Sequence, residues 1–503
     1  MYTFSSKLKT FSFVLMIVGI LGIGYGFLTA PKDIQEVEAI LKAEAEAHHG
    51  GGHDAAPAHE TKAEPTTHEA HAEEVSAATN EAQIEPTSHD SITPVTEAHA
   101  ANPVAQEPHA ETATGHEIHD ATASAGHDDH KEHAEHVFHQ LQNKPWAALY
   151  VACLFFMLIA LGALAFYAIQ QVAQAGWSPV LFRVMQGITA YLLPGSIIFF
   201  VLLLLSGFHF NHLFVWMADG VTDPKSANYD HLIAGKAGYL NFPFWIIRAA
   251  IFIFGWNLYR HLSRKNCLAQ DEATDNSFYK KNFKMSAAFL VFFIVTESIM
   301  SWDWIMSVDP HWFSTLFGWY VFASFFVSGI TTISMVTLYL KSKGYLENVN
   351  SSHIHDLSKF MFGISVFWTY LWFSQFMLIW YSNIPEEVTY FKTRIEDFNL
   401  TFFGAVAMNF IFPFLVLINT DFKRISWIIV MAGIVILFGH YVDFFNMIMP
   451  ATVGDQWFIG IPEISSILFF FGLFIFVVFS ALTKAPLVPK RNPFIEESKH
   501  FHY

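Results

Sequence analysis

The chain is poor in cysteine, with only Cys153 and Cys267 in 503 residues. It has no CxxC pair, no CxxCH haem-attachment motif and no iron–sulfur spacing. A disulfide framework and a cluster held by cysteines of this chain are therefore both excluded. Charge is sparse as well. Asp, Glu, Lys and Arg make up 14% of the residues, where a typical soluble chain carries about 25%. Apolar residues take their place: hydrophobic types reach 53%, aromatics 17%, and phenylalanine alone contributes 53 residues. Mean hydropathy is +0.34. Length alone would suggest about three soluble domains. The composition instead predicts an all-α polytopic membrane protein and argues against a soluble enzyme.

A formal net charge of −16 sits oddly on such a chain until it is located. Residues 31–140 hold 23 Asp and Glu against 4 Lys and Arg, a local net of −19. Residues 1–30 carry +2 and residues 141–503 carry +1. The acidic segment also holds 16 of the 26 histidines and almost no aromatic side chain. Such a composition buries too little apolar surface to offset its ordering entropy. It predicts a disordered tether, clearest over 50–140, with a short Ala/Glu/Leu-rich helix at 33–47. The irregular histidine spacing suits a solvated linker, with weak, nonspecific metal binding as the alternative.

A bilayer core of ~30 Å takes about 20 apolar residues in a helix. Ten segments qualify: 11–30, 146–172, 184–208, 240–259, 285–308, 312–340, 357–383, 400–419, 425–449 and 459–482. The first has an apolar run longer than the ~7–15 residues of a secretory signal, and reads as a retained span over 1–30 rather than a cleaved peptide. The tether follows at 31–140, then a nine-helix membrane body at 141–483 and a tail at 484–503. Lys and Arg set the orientation. With the N-terminus inside, 18 of the 28 basic residues fall in inside segments. The outside loops beyond the tether then hold only Lys144, Lys225, Lys236, Lys392 and Arg394. Both termini are thus expected to be cytoplasmic and the tether outside.

Ionisable groups at membrane depth are costly and commonly functional. Glu297 falls near the middle of span five, with Asp303 six residues on, about 9 Å along a helix. His440 and Asp443 in span nine are three apart and share a face. These four are the candidates for proton transfer. Arg248 in span four, Gln375 in span seven, and His209 and His212 at the outer end of span three are candidates for structural pairing or for a quinol site. Arg248 would pair with Glu297 or Asp303. The outer half of the membrane thus gathers the carboxylates and histidines. The inner half offers hydroxyls (Ser365, Thr369, Thr331, Thr332 and Thr337) and no buried carboxylate. Bland alternatives stand beside each reading: a helix-holding ion pair for Arg248, a satisfied interhelical bond for His440 and Asp443, interfacial packing for His209 and His212.

Three stretches carry a family resemblance: HFNHLFVWMADGVTDPKSANYDHLIAGKAGYLNFPFWIIR (209–248), ESIMSWDWIMSVDPHWFSTLFGWYVF (297–322) and GHYVDFFNMIMP (439–450). The most specific piece is DPHW followed by STLFG at 309–318. They resemble a large membrane subunit, of the ActF type, of bacterial alternative complex III. That complex is a quinol:cytochrome c oxidoreductase, and the subunit belongs to the polysulfide-reductase (NrfD-like) superfamily. The resemblance covers span one and 141–503 and leaves the tether out. It implies two four-helix bundles with flanking helices in a bacterial inner membrane, with residues 31–140 periplasmic. It implies partner subunits carrying multihaem cytochrome c and iron–sulfur clusters, a second NrfD-like membrane subunit, and a terminal cytochrome oxidase as a further partner. It also implies contact with menaquinone or quinol, no redox cofactor or metal held by this chain, and no nucleic acid. The chain would then be a subunit of an enzyme rather than an enzyme by itself. Two other functions stay open: the membrane anchor of a molybdenum reductase, and an ion or solute transporter. Pro194 and Pro413 interrupt spans three and eight, but no inverted repeat supports the transporter.

Overall fold

The computed structural model describes the backbone of residues 2–49 and 121–502 and, within them, the side chains of 2–42 and 133–502. The central part of the expected tether, 50–120, lies outside the described residues. Residues 1–40 and 132–503 form one compact unit and residues 41–131 another; the first is the subject below.

Helix α1 is Ser6–Thr29, α2 is Ile34–His49 and α3 is Ala121–Val172. Helices α4 (Phe182–Ile188) and α5 (Leu192–Gly207) make one span, and α6 (His231–Lys236) lies in the loop that follows. Then come α7 (Phe242–Glu272), α8 (Ser277–Trp304), α9 (Phe317–Ser342), α10 (Ser351–Ser382) and α11 (Pro385–Glu396). Helices α12 (Asn399–Val406) and α13 (Phe412–Leu417) share a span, followed by α14 (Ser426–Val453), α15 (Ile461–Leu482) and α16 (Ile495–Lys499). Among the described residues, ten spans are long and apolar enough to cross a membrane, and each overlaps one of the ten read from the sequence. No strand occurs among the described residues. The protein is an all-α polytopic membrane protein.

Several boundaries differ from expectation. Helix α3 reaches back to Ala121, so residues 121–140, expected to be disordered, are helical. An apolar span supplies the costly helix nucleus, and the helix continues back from it through a run rich in His and Ala. Val137 and Ala134 are buried on it. Helix α7 runs to Glu272 where hydropathy ends at 259, because its last turns bury a polar face of Ser263, Asn266 and Gln270. The outside connection between the expected spans 357–383 and 400–419 contains α11, which buries Tyr390, Phe391 and Arg394. The two interrupting prolines act as expected. Pro194 follows a 3₁₀ turn at Thr189–Tyr191, and Pro413 follows a π-turn at Ala407–Ile411.

The spans pack as two four-helix bundles with a flanking pair. In the second bundle α9 lies against α10 and α14, α14 against α12 and α13, and α13 against α10, which closes a ring. In the first, α5 packs on α7 and α7 on α8. Helix α3 completes it through the Tyr150 hydroxyl, which donates to the Trp304 carbonyl at 2.7 Å, and through its ring contact with Phe199. The bundles meet where α3 crosses α9. Gly162 faces the Phe325 backbone and Gly329 the Gly162–Ala163 backbone, so a side chain at either would strike main chain. Small residues commonly let helices approach this closely in membranes. Glycines also seat α1 on α15: Gly19 lies against Phe469, Gly26 against Pro462, and Gly472 answers from α15 against Ser12. Below, the far face is the one opposite the start of α1; α5, α8 and α14 end on it.

Candidate functional site

The second bundle holds a buried polar relay. The carboxylate of Asp443 on α14 accepts from Ser324 Oγ at 2.8 Å, from Trp368 Nε1 at 2.9 Å and, on its other oxygen, from the Tyr320 hydroxyl. Ser324 Oγ also lies 2.9 Å from His440 Nδ1. Nδ1 itself is 3.8 Å from the carboxylate, as two residues three apart on one helix face require. Ser324 has a single proton, and it goes to Asp443. Nδ1 must then be the donor to Ser324, which leaves Nε2 of His440 with the lone pair. That nitrogen is buried and meets no hydrogen-bond partner. His440, Ser324, Trp368 and Asp443 are all at most 2% exposed.

Polar side chains continue on both sides of this core. Towards the far face, Tyr320 borders a chamber of about 10 Å³ shared with Gln375, Arg394 and Asn446, about the room one water needs. Gln375 Nε2 and Asn446 Oδ1 are buried there without a partner. Arg394 reaches in from α11, donates to the carbonyls of Asn446 and Tyr390 at 3.0 and 2.8 Å, and lies 3.3 Å over the Tyr390 ring. In the other direction, Asn409 sits in the π-turn against Gly439, fully buried, with neither amide atom hydrogen-bonded. Such turns cluster at functional sites. Of the five hydroxyls expected in the inner half, Thr332 and Thr369 donate to carbonyls of their own helices at 2.8 and 2.9 Å. Those of Thr331, Thr337 and Ser365 are buried without partners.

Glu297, Asp303 and Arg248 lie in the first bundle, apart from this relay. Arg248 grips Asp303 with two bonds, Nε at 2.7 Å and Nη2 at 2.8 Å. Its third nitrogen donates to the Tyr239 carbonyl at 3.2 Å, and its plane lies 4.0 Å over the Tyr239 ring. Asp303 is thus a saturated structural partner of Arg248. Glu297, on the same helix, accepts a hydrogen bond only from Ser298 Oγ at 2.7 Å, and its other oxygen is buried and unpartnered. Asp271, about 44 Å along α7 from Phe242 and so beyond a ~30 Å core, is buried and pairs with Arg183 at 2.6 Å, and Arg183 donates to Gln186 at 3.1 Å. Gln186 belongs to a node in which Tyr167 also bonds Ser263 and Asn282, one residue from each helix around it. Hydropathy placed Asp271 outside the membrane body because it stands beyond Tyr259.

On the far face, His209 and His212 line a pocket of about 680 Å³ with His136 and His139. The rings of His139 and His212 are 5.9 Å apart, and no group of described residues could hold a metal ion. Burial, with His139 and His209 nearby, holds His212 below the usual imidazole value, so it is neutral at pH 7. His209 is in the left-handed region at φ 59°, an uncommon conformation for a residue with a Cβ.

The neighbouring loops are clasped by Asp230, which caps α6 through the Leu232 and Ile233 amides and accepts from His311 Nε2 at 2.5 Å. The His311 bond, then the Ile233 amide, hold its carboxyl below the usual value. A depressed carboxyl contributes stability that is present at neutral pH. That stability is lost as pH falls below ~3.9 and on through the folded value. Protection against hydrogen exchange, relative to the intrinsic rate at each pH, should therefore fall over 226–241 and 309–316 on acidification below about pH 4, and Asp230→Asn should flatten that response. Equal protection at pH 6 and pH 3 in the parent chain would contradict the clasp.

Two of the relay's members escaped sequence reading. Tyr320 and Ser324 stand at i and i+4 on α9, level with His440, and look like ordinary span residues. Arg394 stands in what reads as a loop. Only the repeat of polar residues every three or four positions along 320–331 signals a polar stripe. Compared with known proteins, the chain matches no family model, and no curated protein is significantly similar to it.

Proposed function

We propose that this chain is an integral subunit of a quinol-oxidising electron-transfer complex in a bacterial inner membrane, and that its own part is proton transfer through the second bundle. The carrying observation is the buried series His440–Ser324–Asp443–Tyr320, which continues into the chamber at Gln375 and Arg394. A proton arriving at Nε2 of His440 releases the Nδ1 proton to Ser324 Oγ. Ser324 gives its own proton to Asp443, and the Asp443 carboxyl returns one to Tyr320 as the tyrosine proton leaves into the chamber. One proton has moved outward; His440 is left protonated on Nε2 and bare on Nδ1, and rotation of the imidazole and of the Ser324 and Tyr320 hydroxyls returns the series to its start without a further proton crossing. Positioned groups of this kind commonly contribute 10²–10⁴-fold to a proton-transfer step.

In this reading the termini are cytoplasmic and 31–140 periplasmic, as the sorting of Lys and Arg supports. Haem c and iron–sulfur clusters belong to partner subunits, as the scarcity of cysteine supports, and a second NrfD-like subunit and a terminal oxidase are further partners. Arg248 and Asp303 hold the first bundle together. Gentle solubilisation of the native membrane tests the assignment. Co-purification of c-type haem and an iron–sulfur protein with this chain is expected. A lone molybdopterin subunit in their place would make it a reductase anchor, and solute uptake by the chain alone in liposomes would make it a transporter.

A further inference from the structure

A cleft of about 460 Å³ opens at the seam between the second bundle and the flanking pair, within the usual size range of small-molecule sites. Its walls come from α14 and α15, with α3, α9 and α1 closing the sides, and they are carbon almost throughout. Along α15 it runs from Ile467 to Phe479, about 18 Å at 1.5 Å per residue. That is close to the depth of one leaflet of a ~30 Å hydrocarbon core. Ile434 and Phe438, on one lip, are exposed at 57% and 54%, so the cleft opens sideways to the bilayer. Its Phe479 end lies towards the amino-terminal face, because Leu8 near the start of α1 and Tyr339 near the end of α9 line it as well.

Three segments meet at that end. The Tyr2 ring packs against Tyr345 at 5.1 Å and against Phe479 at 5.9 Å, and Thr3 Oγ1 shares a hydrogen bond of 3.0 Å with the Tyr345 hydroxyl. The start of α1 is thereby held beside the ends of α9 and α15. Lysines surround the mouth. The Lys343 ammonium stands 5.8 Å from the centroid of Tyr339, a ring that lines the cleft. Lys7 and Lys9 flank Leu8 on the first turns of α1, and all three lysines are exposed. No acid in these segments offsets them: residues 1–32, 310–346 and 464–495 contain neither Asp nor Glu. Basic side chains clustered at a membrane surface attract anionic lipid.

We propose that the cleft seats one anionic phospholipid of the leaflet on the amino-terminal face. One acyl chain lies along α14 and α15, and the phosphate lies among Lys343, Lys7 and Lys9. The depth fits a chain that enters from the interface and ends near mid-membrane. The charge selects the head group: a zwitterionic lipid fills the cleft equally well but brings no net charge to the lysines. The site is separate from the relay, whose side chains face the interior of the second bundle, and it requires no particular electron-transfer partner.

The test is the lipid kept by the full chain in its native complex, purified in mild detergent and exchanged into mixed micelles. These hold equal phosphatidylglycerol and phosphatidylcholine with the same acyl chains, and mass spectrometry of the extract reads the result. The parent should keep one phosphatidylglycerol per chain and prefer it several-fold over phosphatidylcholine. The triple variant Lys7→Gln/Lys9→Gln/Lys343→Gln should lose that preference. Lys343→Gln alone, which leaves the basic start of α1 to fix its insertion, should lower it part-way at unchanged yield. Ile434→Trp fills the cleft from an exposed lip and should release the lipid, whereas Val291→Trp, on a 70% exposed position outside the cleft, should keep it. Glycerol 3-phosphate in excess, the head-group chemistry without the chains, should displace nothing. Equal retention of both lipids by the parent, an undiminished preference in the two lysine variants, or an undiminished content in Ile434→Trp would each overturn the site. So would displacement by glycerol 3-phosphate, which would leave an anion site at the lysines in place of a lipid site.

Discussion

Replacing Arg248 by methionine should cost the folded protein about 3–5 kcal/mol, the usual result of stripping one partner from a buried ion pair. The expectation follows from how completely the pair is enclosed. Asp303 is fully buried, both of its oxygens are taken by Arg248, and its main-chain carbonyl accepts from Trp245 Nε1 at 2.8 Å and Ser307 Oγ at 2.6 Å. Without the guanidinium, the fully buried carboxylate loses its charged partner and the two hydrogen bonds that it accepts from it. Asp303→Leu should be comparably harmful, since it strands the guanidinium. The double variant Arg248→Met/Asp303→Leu should recover most of the loss, because apolar pairs of similar volume replace buried ion pairs well. Thermal unfolding in detergent, with yield of folded chain as a second readout, checks all three. Single variants as stable as the parent would show that the pair is not what joins α7 to α8.

Asp443 should separate fold from transport. Asp443→Asn can keep the local bonds: its carbonyl takes the Ser324 and Trp368 donors, and its amide donates to the Tyr320 oxygen. The chain should then assemble normally while quinol:cytochrome c turnover falls about a hundredfold, the lower end of what positioned acid–base groups contribute. Asp443→Leu strands three donors, each worth about 1–3 kcal/mol when left unpaired in the interior, so it should lose the fold as well. Normal turnover in Asp443→Asn at normal yield would remove Asp443 from the path.

Much of the architecture was legible because a bilayer imposes one period and one length on every span. The ten spans, the helix near 33–47 and the breaks at Pro194 and Pro413 all follow from local composition. The pairing of Arg248 was narrowed to Glu297 or Asp303, and the shared face of His440 and Asp443 follows from helical spacing. What stayed hidden depends on tertiary contact. Tyr320, Ser324 and Trp368 belong to helices far from His440 in sequence, so no spacing rule connects them. Asp271 and Arg394 stand in polar stretches that hydropathy assigns to loops, yet both are buried, Asp271 against Arg183 and Arg394 against the carbonyls at the end of α14. Glu297 and Asp303 read as part of one path with His440, but packing places them in the other bundle.

The most direct test of the proton relay is to reconstitute the purified complex in vesicles and record acidification on the far side during quinol oxidation, for the parent and for His440→Gln. Glutamine keeps a donor for Ser324 but cannot cycle a proton between two ring nitrogens. The account predicts normal complex composition and a loss of about tenfold or more in far-side proton release for each electron transferred. Parent-level proton release in His440→Gln, at parent-level composition, would contradict it.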